Sequence, residues 1–369
     1  MKFVISTQEF NYLLGKLLNV VAQKATIPIL SNILVEAGRD QITLTATDLT
    51  VGVRCTTEAK VLEEGAITVP AKRLAQLVRE LTAVNIQIST VDDVMRIDAD
   101  SSYFKLHGMN RSEFPALPPL NDAAQIKMDQ AKLKDMFFRT GFAVSREDNR
   151  YVLTGVFLHV QNGEATFVGT DGKRLAKTRM TVNIDSSFNG SYIIPLKAVD
   201  EVMKSLGDEG EATVYLMSDK IGFEASDCLV ITKLLSGDYP DVDRVIPQKP
   251  DTVVSLHREE LISLLRQVSL FTADTSHSVR FTFSNGELKL TANTMEIGEG
   301  LVQMPANYSG DKLEIAFNPG FFLDILRHSK GETVNLGMID PFNPGLITDE
   351  CDDAESPLFV LMPMRLNED

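Results

Sequence analysis

No stretch of this sequence approaches 18 uncharged apolar residues, so nothing in it reads as a helical membrane span. The opening residues, Met1-Lys2-Phe3-Val4-Ile5-Ser6, lack the apolar core of a signal peptide. Cysteine is scarce. Cys55, Cys228 and Cys351 are odd in number, widely separated and without metal-ligand spacing, a usage that fits a reducing cytosol. The five histidines (His107, His159, His257, His277, His328) share no His-x-x-x-His or His-x-x-Glu-His spacing. Phosphate-cradling loops are missing too: Gly15-Lys16 runs into leucine within a helical pattern, and Gly298-Glu299-Gly300 lacks a third glycine. Ser101-Ser102 and Ser186-Ser187 have no nucleophile-elbow glycines around them. The acidic group Asp349, Glu350, Asp352, Asp353 has no calcium-loop spacing and reads as a solvated loop. Nothing in these spacings supports a catalytic residue, a metal or a cofactor, and an enzyme stays open at this point.

What the sequence does contain is a threefold repeat. Leu44-Thr45-Ala46-Thr47-Asp48 returns as Phe167-Val168-Gly169-Thr170-Asp171 and again as Leu290-Thr291-Ala292-Asn293-Thr294, a shift of 123 residues each time. A second anchor, Val69-Pro70-Ala71-Lys72-Arg73-Leu74, matches Ile194-Pro195-Leu196-Lys197-Ala198-Val199 and, more weakly, Phe317-Asn318-Pro319-Gly320-Phe321-Phe322. Units this long are domains, not solenoid repeats. Asp171 beside Arg174 resembles an acid–base pair, but the other two copies lack the arginine, so a turn-stabilising aspartate is expected.

Each copy opens on a short strand and an amphipathic helix. In the first, Ser6 and Glu9 make a capping-box pattern before Phe10, Leu13, Leu14 and Leu17 at helical spacing. Strand-like runs follow, with Asn162-Gly163 and Asn285-Gly286 as hairpin turns. A second helix starts near Pro70, Pro195 and Asn318. The unit is therefore α+β, with two helices and many short strands. Proline-rich junctions at Phe114–Leu120 and Tyr239–Pro247 make stiff connectors and set domains of 1–121, 122–247 and 248–369.

The net charge of −15 argues at face value against nucleic acid. Its distribution argues otherwise. The six expected helices (7–24, 71–82, 129–146, 195–206, 255–270, 319–330) hold 15 Lys and Arg against 9 Asp and Glu, a net of +6 that leaves −21 elsewhere. Lys72 and Arg79 share one helix face opposite Leu74, Leu77, Val78 and Leu81. Lys197 and Lys204 repeat the arrangement, and Arg327 holds the slot in the third copy. A single such face is an ordinary solvated surface. Its recurrence at repeat spacing in an acidic chain points to one face for a polyanion.

Three tandem α+β units, Thr170-Asp171-Gly172-Lys173-Arg174-Leu175-Ala176, Tyr239-Pro240-Asp241 and the near-terminal Met362-Pro363-Met364-Arg365-Leu366 together resemble the bacterial DNA polymerase III beta subunit family, the sliding clamps. The resemblance covers the whole chain. It implies a non-catalytic processivity subunit, a head-to-tail homodimer closing a ring of six domains with helices lining the hole and strands outside. It implies double-stranded DNA as a topological, sequence-independent partner, and a cytoplasmic, nucleoid-associated location with no membrane partner. Expected DNA contacts are Lys24, Arg73, Arg79, Arg146, Arg150, Tyr151 and Lys197. The family also implies a pocket where the replicative polymerase, the clamp loader and other proteins dock a short peptide. By position its wall is Leu153, Thr170, Gly172, Lys173, Arg174, Leu175, Pro240, Arg244, Val245, Pro344, Val360, Met362, Pro363 and Met364, with Arg174 orienting the peptide at the rim. Unbranched methionine thioethers suit a pocket with several clients, though Met-Pro-Met also reads as a final core strand. Lys173, Val242-Asp243 and the Asn367-Glu368-Asp369 extension depart from the family pattern. Ring closure is expected to join Phe104 and Leu106 to Leu270 and Phe271, with Lys72 near Glu296 or Glu299. A nucleic-acid enzyme and a purely structural oligomer are the competing classes.

Overall fold

The computed structural model describes residues 1–21, 26–273, 277–350 and 356–365, apart from the Asp148 side chain. Lys24, Cys351 to Asp353 and Leu366 to Asp369 therefore lie outside the described residues. Six α-helices are present among the described residues: α1 (Thr7–Leu17), α2 (Ala71–Glu80), α3 (Gln130–Gly141), α4 (Leu196–Ser205), α5 (Arg258–Ser269) and α6 (Pro319–His328). The expected repeat is explicit in the elements. Strands Gln41–Thr47, Glu164–Thr170 and Glu287–Thr294 start 123 residues apart, and each is the central member of its hairpins.

Five of the six helix starts fall within one residue of the sequence reading, and two helices end well short of it. Ser6 Oγ accepts from the Glu9 amide at the start of α1, and Asn318 Oδ1 accepts from Gly320 and Phe321 at the start of α6. The helices stop short of their expected ends: α1 at Leu17 instead of 24, α3 at Gly141 instead of 146. In α3 the glycine brings the regular turns to a close, and Ala143 N–H turns back onto the Thr140 carbonyl. At α5 the preceding strand, Thr252–His257, runs past the expected start at 255, because its ladder with Thr333–Met338 claims those residues.

By compactness the chain divides into two units. The first comprises residues 1–134, 182–184 and 194–234, the second 135–181, 185–193 and 235–369. Within the first lies a five-stranded antiparallel sheet in the order Lys60–Glu63, Lys2–Ser6, Asn85–Val91, Val94–Ala99, Ser102–His107. Beside it in that unit is an eight-stranded sheet ordered Ala124–Asp129, Glu211–Leu216, Lys220–Ala225, Cys228–Lys233, Val51–Glu58, Gln41–Thr47, Asn32–Gly38, Gly65–Pro70. Its middle ladder, Val51 to Cys55 against Thr232 to Cys228, joins strands of the first and second sequence repeats. The proline-rich connector packs on this sheet. A Cβ on Gly52 would stand 2.3 Å from Leu117 Cδ2, so glycine there makes room for the leucine.

The register of that ladder corrects one expectation. A cysteine usage that fits a reducing cytosol gives no hint of a bridge, yet Cys55 and Cys228 stand opposite one another and are joined by a disulfide. Their pairing is created by a sheet register between residues 173 apart, which no local spacing reports.

In the second unit an eight-stranded sheet contains, near its centre, Arg174–Thr181 against Leu358–Leu361, so here the second and third repeats share a sheet. A four-stranded sheet, ordered Gly298–Pro305, Glu287–Thr294, Val279–Ser284, Leu313–Phe317, belongs to the third repeat. Its core is aromatic: the Phe281 ring lies 5.3 Å from Phe317 and 5.2 Å from Phe322, and all three are fully buried. Truncating Phe281→Ala removes the ring both neighbours rest on, and is expected to cost about 3–5 kcal/mol. Denaturant unfolding followed by circular dichroism measures this as a lowered midpoint.

Candidate functional site

The repeated Thr-Asp sequence builds the same turn twice. In the first copy Asp48 Oδ1 accepts from the Thr50 and Val51 amides while Thr47 Oγ donates to the Val51 carbonyl. In the second, Asp171 Oδ1 accepts from Lys173 and Arg174, and Thr170 Oγ donates to the Arg174 carbonyl. Asp171 is thus the turn-stabilising aspartate expected from sequence. At the tip Gly172 has φ +83°, and a Cβ there would meet the Arg150 guanidinium at 2.1 Å. The positive φ is what favours glycine here.

This turn forms the rim of a cavity of about 170 Å³. Leu153, Thr170, Gly172, Lys173, Arg174, Leu175, Pro240, Val245, Val360 and Met362 line it, ten of the residues expected from sequence. Asp241 and Val242 line it as well. Sequence reasoning passed over Asp241 although it quoted the Tyr239-Pro240-Asp241 motif, and treated Val242 only as a departure. Beneath lies a small apolar cluster of Val168, Leu175 and Val360 with Phe157, Tyr239, Val242, Ile246 and Leu346. The other four expected wall residues are absent from the lining. Arg244 is largely exposed and held by Asp241 Oδ2 at 2.8 Å. Met364 N–H donates to the Ala316 carbonyl, a bridge into the third repeat's sheet, and Pro344 and Pro363 also lie outside the lining.

Arg174 is anchored at the rim by three hydrogen bonds. Its Nε donates to Asp171 Oδ2 at 3.2 Å, one terminal nitrogen to Asp324 Oδ2 at 2.7 Å and the other to the Phe142 carbonyl at 3.0 Å. Its guanidinium also lies over the Phe321 ring at 4.6 Å. Three of its five N–H groups are engaged in this way, which holds Arg174 in the wall between its own turn, α6 and Phe142 just after α3. Asp324 is the partner that sequence reasoning missed, because 150 residues separate the pair.

Further along α6, His328 stacks on Phe142 at 4.0 Å and gives its Nδ1–H to the Asp324 carbonyl. Burial holds its pKa below 6.5, with Arg174 and Arg139 pushing the same way and Asp324 opposing. Close by, Arg139 is buried, bonded to Asp135 at 2.8 Å and 3.8 Å from Asp349. Asp349 was expected in a solvated loop. It is instead buried at the end of strand Gly345–Asp349, accepting from the Lys330 amide, and burial raises its pKa. Glu350 follows it directly, and the remaining acidic residues of that group are outside the described set.

The basic residues lie where helical phase puts them. On α2, Ala71, Leu74, Ala75 and Val78 are buried while Lys72, Arg73 and Arg79 are exposed. On α4, Lys197 and Lys204 are exposed above buried Val199 and Val202, and Arg327 is exposed on α6. Lys197 already bonds Asp48 at 2.6 Å. Burial works against Asp48 ionising, but Lys197 and the two turn amides outweigh it and lower its pKa. Arg146 and Tyr151 are exposed, whereas Arg150 reaches over the pocket turn and donates to the Asp171 carbonyl at 2.9 Å. Among the described residues no cluster of three or more His, Cys, Asp or Glu is arranged to hold a metal ion.

Family models for the DNA polymerase III beta subunit match the chain end to end: the N-terminal domain over residues 1–118, the central domain over 127–241 and the C-terminal domain over 243–365. The chain belongs to the DNA polymerase III beta subunit family. It is 54% identical to the beta sliding clamp of Chlamydia pneumoniae over the full length of both chains. The crystal structure of the Pseudomonas aeruginosa beta subunit superposes with a TM-score of 0.94 at 30% identity, covering 99% of this chain and 100% of that one. A Pseudomonas aeruginosa sliding clamp bound to griselimycin matches at a TM-score of 0.95, with the same identity and coverage. The architecture is therefore three tandem clamp domains of α+β type, and the role is that of a DNA sliding clamp, with DNA and a DNA polymerase as its partners.

The junction around His328 gives a pH prediction. Between its lowered folded pKa and 6.5 the unfolded chain binds the proton that the folded chain excludes. Unfolding free energy should therefore fall as the pH drops from about 7.5 to about 5. His328→Phe keeps the ring stack and loses the proton, so its melting temperature should depend less on pH over that window. Melting curves of both proteins at matched ionic strength measure the difference.

Proposed function

We propose that the chain works as half of a head-to-tail homodimeric ring that holds duplex DNA topologically and carries its partners on a peptide pocket. Domains of 1–121, 122–247 and 248–369 in two copies make six similar units. The observation that carries this reading is the recurrence of exposed basic residues on the second helix of each repeat: Lys72 and Arg79, Lys197 and Lys204, Arg327. In a chain of net charge −15 this concentrates attraction for phosphates on one kind of surface. Arg73, Arg79, Arg146, Arg150, Tyr151 and Lys197 are the proposed contacts, together with Lys24, which lies outside the described residues. Each contributes little, since sliding needs many weak phosphate contacts and no base readout. The proposed location is the cytoplasm, on nucleoid DNA.

Ring closure is supported by two open sheet edges. Strand Ser102–His107 ends the five-stranded sheet and Gly298–Pro305 ends the four-stranded one, each paired on one side only among the described residues. Apolar side chains stand unusually exposed there: Tyr103 at 60%, Leu301 at 56%, and Leu270 nearby in sequence to α5 at 72%. Strand addition between one protomer's first domain and its partner's third pairs these edges. Phe104 and Leu106 are half-buried, and Phe271 packs partly on its own core against Gly300. Leu270 is therefore the cleaner probe of the interface. Leu270→Asp should sediment as a monomer of 40.8 kDa with an unchanged melt, where the parent runs at about twice that mass.

Binding by encirclement predicts that the protein stays on nicked circular DNA and runs off when the circle is cut. Counterion-release binding alone holds linear and circular DNA equally and weakens steeply with salt. Equal retention on both forms argues against the ring.

The cavity takes a linear peptide with hydrophobic anchors. Leu175, Val242, Val245, Val360 and Met362 offer the apolar wall, and Arg174 keeps it in place. A clamp of the same fold binds griselimycin, which supports a ligand-binding role for clamps of this architecture. Met362→Ala should weaken binding of such a peptide roughly tenfold or more without moving the melting temperature, since Met362 is partly exposed. Calorimetric titration and a parallel melt read the two effects.

A further inference from the structure

The disulfide between Cys55 and Cys228 has no part in the proposed function. The two residues face each other directly across the ladder between Val51–Glu58 and Cys228–Lys233, Cα to Cα 4.2 Å. The neighbouring pair is bonded through the Thr56 N–H and the Asp227 carbonyl, so the cysteines occupy a non-hydrogen-bonded pair, where side chains come closest. Both are buried. The position within the sheet is specific. Four strands on one side come from the first repeat and four on the other from the second, and among the described residues this ladder is their only join in that sheet. A crosslink in any other ladder of the sheet ties strands of the same repeat. Here it ties one domain to the next.

In a reducing compartment lasting disulfides are rare, and those that do form are commonly transient or redox-sensing. The buried sulfurs add a kinetic condition, because a thiol reagent reaches them only when the ladder parts. We propose that Cys55 and Cys228 form a reversible redox latch on the join between the first and second domains. In the oxidising direction the two thiols give up two protons and two electrons as the S–S bond forms. A low-molecular-weight disulfide accepts them and leaves as two thiols, through a mixed disulfide that the second cysteine resolves. A dithiol reverses the step. Latched, the ladder cannot open; unlatched, its backbone hydrogen bonds and packing alone hold it.

The proposal does not depend on ring formation, and its test reads sulfur chemistry directly. Full-length protein is incubated with oxidised glutathione or with dithiothreitol until the pattern is constant, then alkylated in denaturant. The oxidised form should alkylate at one of its three cysteines, the reduced form at all three, and Cys351→Ala at none and two. Oxidised protein should run faster on a non-reducing gel as a single chain and melt several degrees higher. Its reduction rate in the native state should level off as dithiothreitol rises, because ladder opening becomes limiting. Three alkylated cysteines after oxidation overturn the pairing. Equal melting in the two states, or a reduction rate that rises linearly with dithiothreitol, overturns the latch.

Discussion

A strand with an unpaired edge must find a partner, and this fold is organised around that constraint. Each sequence repeat supplies strands that cannot satisfy their edges alone. The first repeat completes its edge at Val51–Glu58 with Cys228–Lys233 of the second, and the second completes Arg174–Thr181 with Leu358–Leu361 of the third. Domains joined in this way share backbone hydrogen bonds, which are short, directional and lost in a row if the strands shift. The junctions are consequently as stiff as a sheet interior. Among the edge strands that remain are Ser102–His107 in the first repeat and Gly298–Pro305 in the third, and those are the edges on which the proposed ring closure rests.

The same logic places the pocket. Its floor is Leu175 and Val360, which are opposite one another in the ladder that joins the second and third repeats. Its wall at Arg174 is fixed by Asp324 from α6 and the Phe142 carbonyl just after α3. A binding surface built on a shared sheet is preorganised, so a flexible peptide meets a shape that already exists and the cost of ordering falls on the peptide alone.

Much of this was legible in the residues. The 123-residue shift, the Asn-Gly hairpins and the capping serine each report local chemistry, and the strands and helix starts follow them. Ten of the pocket's lining residues were reached through family resemblance. What escaped is long-range. Asp349 sits in a run of acidic residues that reads as solvated, and only the fold reveals Arg139 beside it. Cys55 and Cys228 acquire meaning from a register between distant strands. Arg174 carries the charge of a ligand-orienting residue, and only the fold reveals Asp324 and the Phe142 carbonyl that anchor it.

The compact units do not coincide with the repeats, since each eight-stranded sheet takes strands from two of them. Separating the chain at a repeat boundary would therefore divide an eight-stranded sheet at its middle ladder. The middle domain made alone would expose the flank of Cys228–Lys233 and that of Arg174–Thr181, both rich in buried apolar residues. Such fragments offer two templates for intermolecular β-pairing and should precipitate or form fibrils, so gene fusions and truncations of this chain are better placed within its surface hairpins than between its domains.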